Sequence, residues 1–159
     1  MKTLAIDIGS SIGMASNIPG WGPLHKTFDG DRRERAGNFM CHMNRTLRLL
    51  KSQGLECVIY EDTFARGVNA AKSLYGMIGV IEATCWSAGF PAMWVSPATV
   101  KKWATGKGNA TKEDMLSAAQ LLGYVAEGSE NEHEADAYCL LCYAEASMIE
   151  EAREEINGG

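Results

Sequence analysis

Three features of the sequence predict an α/β fold in which helices cover both faces of a mixed sheet. Two apolar runs at the N-terminus are joined by a Gly-Ser turn, apolar strands then alternate with segments of helical period, and the C-terminal part is helical throughout. The stretch from Lys2 to Asn17 reads as strand, turn, strand, with Gly9 and Gly13 flanking the reversal, and residues 24–30 add a short third strand. Asp31, followed three residues later by Glu34, is an N-cap for a helix that carries Phe39, Met43, Leu47 and Leu50 at helical spacing and ends near Gly54. Residues 56–62 form a short buried strand that terminates in two carboxylates, Glu61 and Asp62.

A second helix spans about residues 69–87. It places Leu74, Ile78, Ile81 and Cys85 on one face, with Met77, Val80 and Ala70 beside it, an arc wider than the roughly 100° of a one-sided surface helix. Either a neighbouring helix or a second copy of the chain covers the extra width. Residues 91–96 are the last strand, and Ser96-Pro97 is an N-cap with proline at the first helical position of a short helix. Thr111 caps the next helix, whose apolar side carries Met115, Ala118, Ala119 and Leu122. Ser129 and Glu132 fit a capping box for a last helix that runs to about Glu155.

With 159 residues and 46% hydrophobic content, residues 1–159 suffice for one domain with a real core and are too few for two lobes. The net charge of −5 hides an asymmetry. Residues 1–112 hold 14 of the 15 Lys and Arg but only 8 of the 20 Asp and Glu, so a basic body precedes an acidic C-terminal part and could bind a polyanion locally. No apolar run reaches the roughly 18 residues of a membrane span, and no signal peptide precedes Asp7; a cytoplasmic protein with no membrane partner is expected. Five scattered cysteines fit a reducing compartment, and Cys139 and Cys142 lie in a helical apolar pattern that favours core packing over metal or redox chemistry.

Charges on apolar strands are costly unless partnered, yet Asp7 interrupts the first apolar run and Glu61 ends the fourth. His133 and Asp136, three apart, share one helical face. Carboxylates brought together repel unless a cation sits between them. A hard divalent ion, Mg²⁺ with Mn²⁺ as a substitute, is the natural occupant, and two such ions about 4 Å apart support phosphodiester hydrolysis. Strand alternation leaves open whether Glu61 or Asp62 faces Asp7. Glu130, Glu132 and Glu134 read as a solvated first helical turn, with Glu132 a reserve ligand four residues before Asp136.

Four stretches, residues 4–15, 58–64, 95–115 and 131–144, together resemble the RuvC-type Holliday junction resolvases, in order and over most of the chain. The resemblance implies a ribonuclease H-like five-stranded sheet, a homodimer, and Mg²⁺-dependent symmetric nicking of four-way DNA, with two ions per site. It matches Asp7, Glu61 and Asp136 to the family's acids and puts His133 in a slot that holds Asp in many members and His in others, as metal ligand or proton handler. Phe64 matches an aromatic that stacks on bases at the junction centre. Lys101 and Lys112 match basic residues beside the active site, Lys112 with a part in catalysis, and Lys107, Lys72 and Arg66 are further phosphate contacts. Compactness likens the chain to phage-borne relatives, which places it in a bacterial or phage-infected cell.

Three rival readings share some of these features. The turn at Gly9 to Ser11 resembles the first phosphate loop of actin- and sugar-kinase-type ATPases, but those clamp a nucleotide between two lobes, so no nucleotide cofactor is expected. Another ribonuclease H-like nuclease, acting on branched DNA or an RNA–DNA hybrid, shares the carboxylates. A non-catalytic junction-binding module is disfavoured because all four ligand positions are filled.

Overall fold

The structure, a computed structural model, describes residues 1–9, 11–62, 65, 67–124 and 131–157, with side chains described as far as residue 148. Phe64, Arg66 and the Ser129 of the expected capping box lie outside the described residues. In chain order the elements are β1 (Thr3–Ile8), β2 (Ile12–Ser16), β3 (Leu24–Lys26), α1 (Arg32–Ser52), β4 (Cys57–Glu61), α2 (Val68–Ala88), β5 (Ala92–Val95), α3 (Pro97–Thr105), α4 (Lys112–Leu121) and α5 (Glu132–Asn157). The five strands lie in the order β3-β2-β1-β4-β5. β1, β2 and β3 pair antiparallel, whereas β4 and β5 add in parallel on the other side of β1. This is the mixed five-stranded sheet expected from the strand and helix alternation.

Every residue of β1 and β4 is buried, as befits central strands with helices on both faces. Leu4, Ile6 and Ile8 face one core with Phe39, Met43, Leu47 and Leu50 of α1 and Met77, Ile78 and Ile81 of α2. On the other face, Ala5, Ala15 and Ile59 meet Val100 of α3, Met115 and Ala119 of α4, and Ala137, Leu140, Leu141 and Ala144 of α5. Small residues dominate that second face of β1 and β2. A helix laid on Ala and Gly comes closer to the sheet than one laid on Leu and Ile.

Helix starts follow side-chain chemistry. Oδ1 of Asp31 accepts from the N–H groups of Arg33 and Glu34, and Oε2 of Glu34 accepts from Asp31 N. Thr111 and Asp114 form a second reciprocal box at α4, and Ser96 with Pro97 opens α3. At α5 the cap is Asn131, whose Oδ1 accepts from the N–H groups of His133 and Glu134 at 3.0 and 3.3 Å. Asparagine caps as well as serine does, and α5 starts at Glu132, two residues later than a Ser129 cap would set it. Leu122, expected on the apolar side of α4, is the C-cap, where the backbone leaves the helix, and is part exposed.

α2 packs on the sheet and against α1. Its remaining side is open: Tyr75 and Trp86 are exposed, Trp86 by 86%, with Gly76, Gly79 and Ala83 between them. The neighbouring helix therefore covers only part of the wide arc, and Ala70 is exposed. Cys139 is fully buried and all five cysteines are free. Among the described residues no helix is long and apolar enough to cross a membrane.

Gly13, read from sequence as a turn residue, lies inside β2, and its missing side chain is what α5 requires. A Cβ there would overlap the carbonyl group of His133 and sit 3.3 Å from Cβ of Ala137. Gly13→Ala should therefore destabilise the protein by at least about 1–3 kcal/mol through overpacking, read as a lower midpoint of denaturant unfolding. An unchanged midpoint would contradict this packing.

Candidate active site

Asp7 and Glu61 reach the same place by strand register. β1 and β4 are parallel with Ile6 opposite Tyr60, which sets Asp7 and Glu61 one step further along neighbouring strands. Alternation puts Asp7 on the face of Ala5, and Glu61 on the face of Ile59, beneath α5. Both are more than nine-tenths buried, at 8% and 7% exposure. Asp62 falls beyond the end of β4 and is exposed, its N–H bonded to Val95 O, so it is Glu61 that accompanies Asp7.

His133 and Asp136 come from the first turns of α5. Asp7 is opposite Gly13 in the hairpin register, and the contact of α5 with Gly13 delivers the imidazole directly to that row. Nδ1 of His133 donates to Oδ2 of Asp7 at 3.0 Å. The ring also lies over Gly9, where a Cβ would stand 2.9 Å from Cε1. The N–H of Gly9 bonds back to Ser11 O. His133 thus fills the space above this turn, which argues against its use as a nucleotide phosphate loop.

Electrostatics ties the four groups into one unit. Burial, then the neighbouring Asp7 and Asp136 carboxylates, push Glu61 up to about 8, with Lys101 opposing. Burial, then Asp7, push Asp136 up to about 6, opposed by Lys101 and His133. The hydrogen bond to Asp7 raises the pKa of His133 against the opposite pull of its own burial. Three acids in one buried place carry more negative charge than the site holds comfortably, and protons take up the excess.

Among the described residues, no three His, Cys, Asp or Glu side chains are disposed as a group that could hold a metal ion. Asp7 is bonded to His133, and Glu61 and Asp136 each lie within the field of Asp7. In kind the donors suit a hard divalent cation, since oxygen ligands from separate elements with surplus negative charge are what such an ion selects.

Of the expected basic residues, Lys101 acts on both Glu61 and Asp136 and so lies at the site. Lys112 is at its exposed rim, ion-paired with Glu132, which also raises the lysine pKa. Glu132 is thus the partner of Lys112 at this rim. Lys107 and Lys72 are exposed and have no hydrogen bond to the acids among the described residues.

Glu134 departs most from expectation. It is buried, and accepts from Nδ1 of His25 at 2.6 Å and from the Tyr124 hydroxyl at 2.9 Å, so that it pins the start of α5 to β3 and to the segment after α4. A signal was present in the sequence: Glu134 heads the helical stripe Ala137, Leu141 and Ala144, all of them buried.

Neither a protein-family sequence model nor a curated protein sequence matches this chain. Solved structures do. The chain is similar to the RuvC of Thermus thermophilus, with a TM-score of 0.71 and 22% identity over 94% of this chain and 96% of that one. It is equally similar to a T. thermophilus RuvC described as in complex with Holliday junction substrate, with a TM-score of 0.72 and 21% identity over 92% and 96%. The chain has the fold of RuvC, the ribonuclease H-like fold.

The raised pKa values set the pH dependence of stability without divalent ions. Glu61 releases its proton near 4.5 when unfolded and near 8 when folded, and Asp136 near 3.8 and near 6, so between these limits the folded state holds the extra protons. Their contributions are complete below the unfolded values and are lost as pH rises through the folded ones. His133, also raised, acts in the same direction from 6.5 upward. In chelator, the unfolding midpoint should fall between about pH 5 and 8, and Glu61→Gln should flatten that fall. Superimposable profiles of the two proteins would contradict the assignment.

Proposed function

We propose that the chain is a divalent-metal-dependent endonuclease that resolves four-way (Holliday) DNA junctions by paired symmetric nicks. One observation carries this reading: two acids from adjoining central strands, and an imidazole and an acid from α5, converge at one end of the sheet in a fold shared with RuvC. That a similar structure is described with a Holliday junction substrate supports branched DNA as the class of substrate. The basic character of residues 1–112 supports it further.

Asp7, Glu61, Asp136 and His133 would hold the metal, Mg²⁺ or Mn²⁺ and two ions per site. When bound, such ions favour deprotonation of an attacking water and offset charge on the leaving oxygen. The protein's own part is positional and electrostatic. Glu61 and Asp136, protonated in part without metal, would give up protons in order to hold it, and His133, bonded to Asp7 through Nδ1, would serve as a ligand or carry a proton at that atom. Lys101 faces the acids from the α3 side and would hold the scissile phosphate, with Lys112 at the rim offsetting charge that builds in the transition state. Phe64, three residues after Glu61 in the sequence, would stack on a base at the junction centre, while Arg66, Lys72 and Lys107 would contact phosphates.

Symmetric nicking needs two sites. The open stripe of α2 from Tyr75 to Trp86, with Gly76 and Gly79 permitting close approach, suits a seam with a second copy, and a homodimer is part of the proposal.

Asp7→Asn should lower Mg²⁺-dependent nicking of a labelled four-way junction by at least about 10³-fold, the upper end of what loss of one charge-stabilising group costs, while junction binding persists. Cutting at the wild-type rate would remove Asp7 from the mechanism. Phe64→Ala should weaken junction cutting by the equivalent of about 1–3 kcal/mol with the unfolding midpoint unchanged, and an undiminished rate would rule out the stacking role.

A further inference from the structure

A cleft of about 510 Å³ opens between β3 and α1, on the face of the sheet opposite α5. Lys26, Asn38, His42 and Arg45 line it, with the acidic Asp29 also on its wall. Its cations are held in place. The buried ring of Phe28, locked edge-on against Phe39, carries Nζ of Lys26 at 5.5 Å over its face and the His42 ring at 5.5 Å. Burial, then the nearby charges of Lys26 and Arg45, lower the pKa of His42, and its buried Nε2 has no hydrogen-bond partner among the described residues.

Charges of one sign gathered this closely are normally ion-paired with acids, but Lys26 and Arg45 are not, although Asp29 shares the wall. Among the described residues the ion pairs join His25 to Glu134, Lys112 to Glu132 and His133 to Asp7, and none involves Lys26, Arg45 or Asp29. α1 as a whole carries five arginines and one lysine against a single acid, Glu34. A cleft that carries two pre-positioned cations against one unpaired acid, on a basic helix, selects an anion that presents several acceptor oxygens.

The sheet register says where that anion would come from. Lys26 is opposite Ile12, which is opposite Ile8, one step beyond the row that joins Asp7, Gly13 and His25. Two strand spacings, roughly 10 Å, separate the row's catalytic end from the edge strand β3, a reach of about three base pairs of duplex. We propose that this cleft is a second contact for the DNA backbone, taking phosphates of the duplex arm that leaves the active-site end of the sheet and passes around its β3 edge. The proposal rests on the reading of the chain as a DNA nuclease and extends its footprint to the face away from the catalytic acids.

The test is the salt dependence of binding, read by fluorescence anisotropy on a labelled four-way junction and a labelled linear duplex without divalent ions. Lys26 and Arg45 are exposed, so the double variant K26A/R45A is expected to fold. Removing one cation that neutralises a phosphate lowers the slope of log K against log salt by about 0.9, so the double variant should flatten the slope by nearly two and weaken binding about tenfold at low salt. Cutting of saturating junction should be unchanged. The charge-matched pair R48A/K51A, on the same helix outside the cleft, should change the slope by less than half as much. Equal effects in the two double variants, or an unaltered slope in K26A/R45A, would each overturn the proposal. Because the slope is read on linear duplex as well, a flattened slope supports the cleft even should junction-selective cutting fail, and junction cutting with no change of slope overturns the cleft alone.

Discussion

The site depends on how closely α5 can lie against the hairpin. A helix packed on a sheet through large side chains stands some 10 Å away, too far for a histidine on its first turn to bond an aspartate on a strand. Here the backbone of His133 meets the bare Cα of Gly13, directly opposite Asp7, and its ring lies over the equally bare Gly9. Ala5 and Ala15 continue that low floor beneath Ala137 and Ala144. The glycines therefore do for the site what they are seldom credited with: they supply room, at backbone angles any residue could adopt.

Close approach has an electrostatic consequence. Seating α5 on the sheet also brings Asp7, Glu61 and Asp136 within one another's fields, and among the described residues His133 and Lys101, with Lys112 at the rim, return positive charge. The fold holds this arrangement because other interactions fix α5 independently of the acids. Leu140, Leu141 and Cys139 of α5 are buried in the core shared with α3 and α4, and its first turn is capped by Asn131 and tied by Glu134 to His25 and Tyr124. A region whose local chemistry opposes compaction while its surroundings enforce it is the usual mark of a functional site.

Much of this is legible in the sequence because it depends on period. The strands, the caps at Asp31, Ser96 and Thr111, and the core positions of α1 follow from spacing and hydrogen-bonding capacity alone. The two strand acids and the pair on α5 stand out because charge interrupts apolar patterns. What stays hidden depends on register between distant segments. The choice between Glu61 and Asp62 is fixed only by where β4 stops, and the role of Gly13 only by the helix above it. The sequence pattern reads Glu134 as a solvated residue, the reverse of what its neighbours dictate, because two donors meet it inside. With 22% identity to a structure of the same fold, side-chain neighbours of this kind are free to differ while the backbone layout persists.

That two buried acids, the half-buried Asp136 and one imidazole form a single charge-sharing unit suited to a divalent cation is a proposal open to a direct measurement. Titration calorimetry of Mn²⁺ into the intact protein near pH 7, repeated in two buffers of different ionisation enthalpy, counts the protons released on binding. Crowded carboxylates that are protonated in part must surrender protons to the buffer, and fewer should be released by Glu61→Gln. Binding with heats independent of the buffer, or no saturable binding at all, would contradict the account.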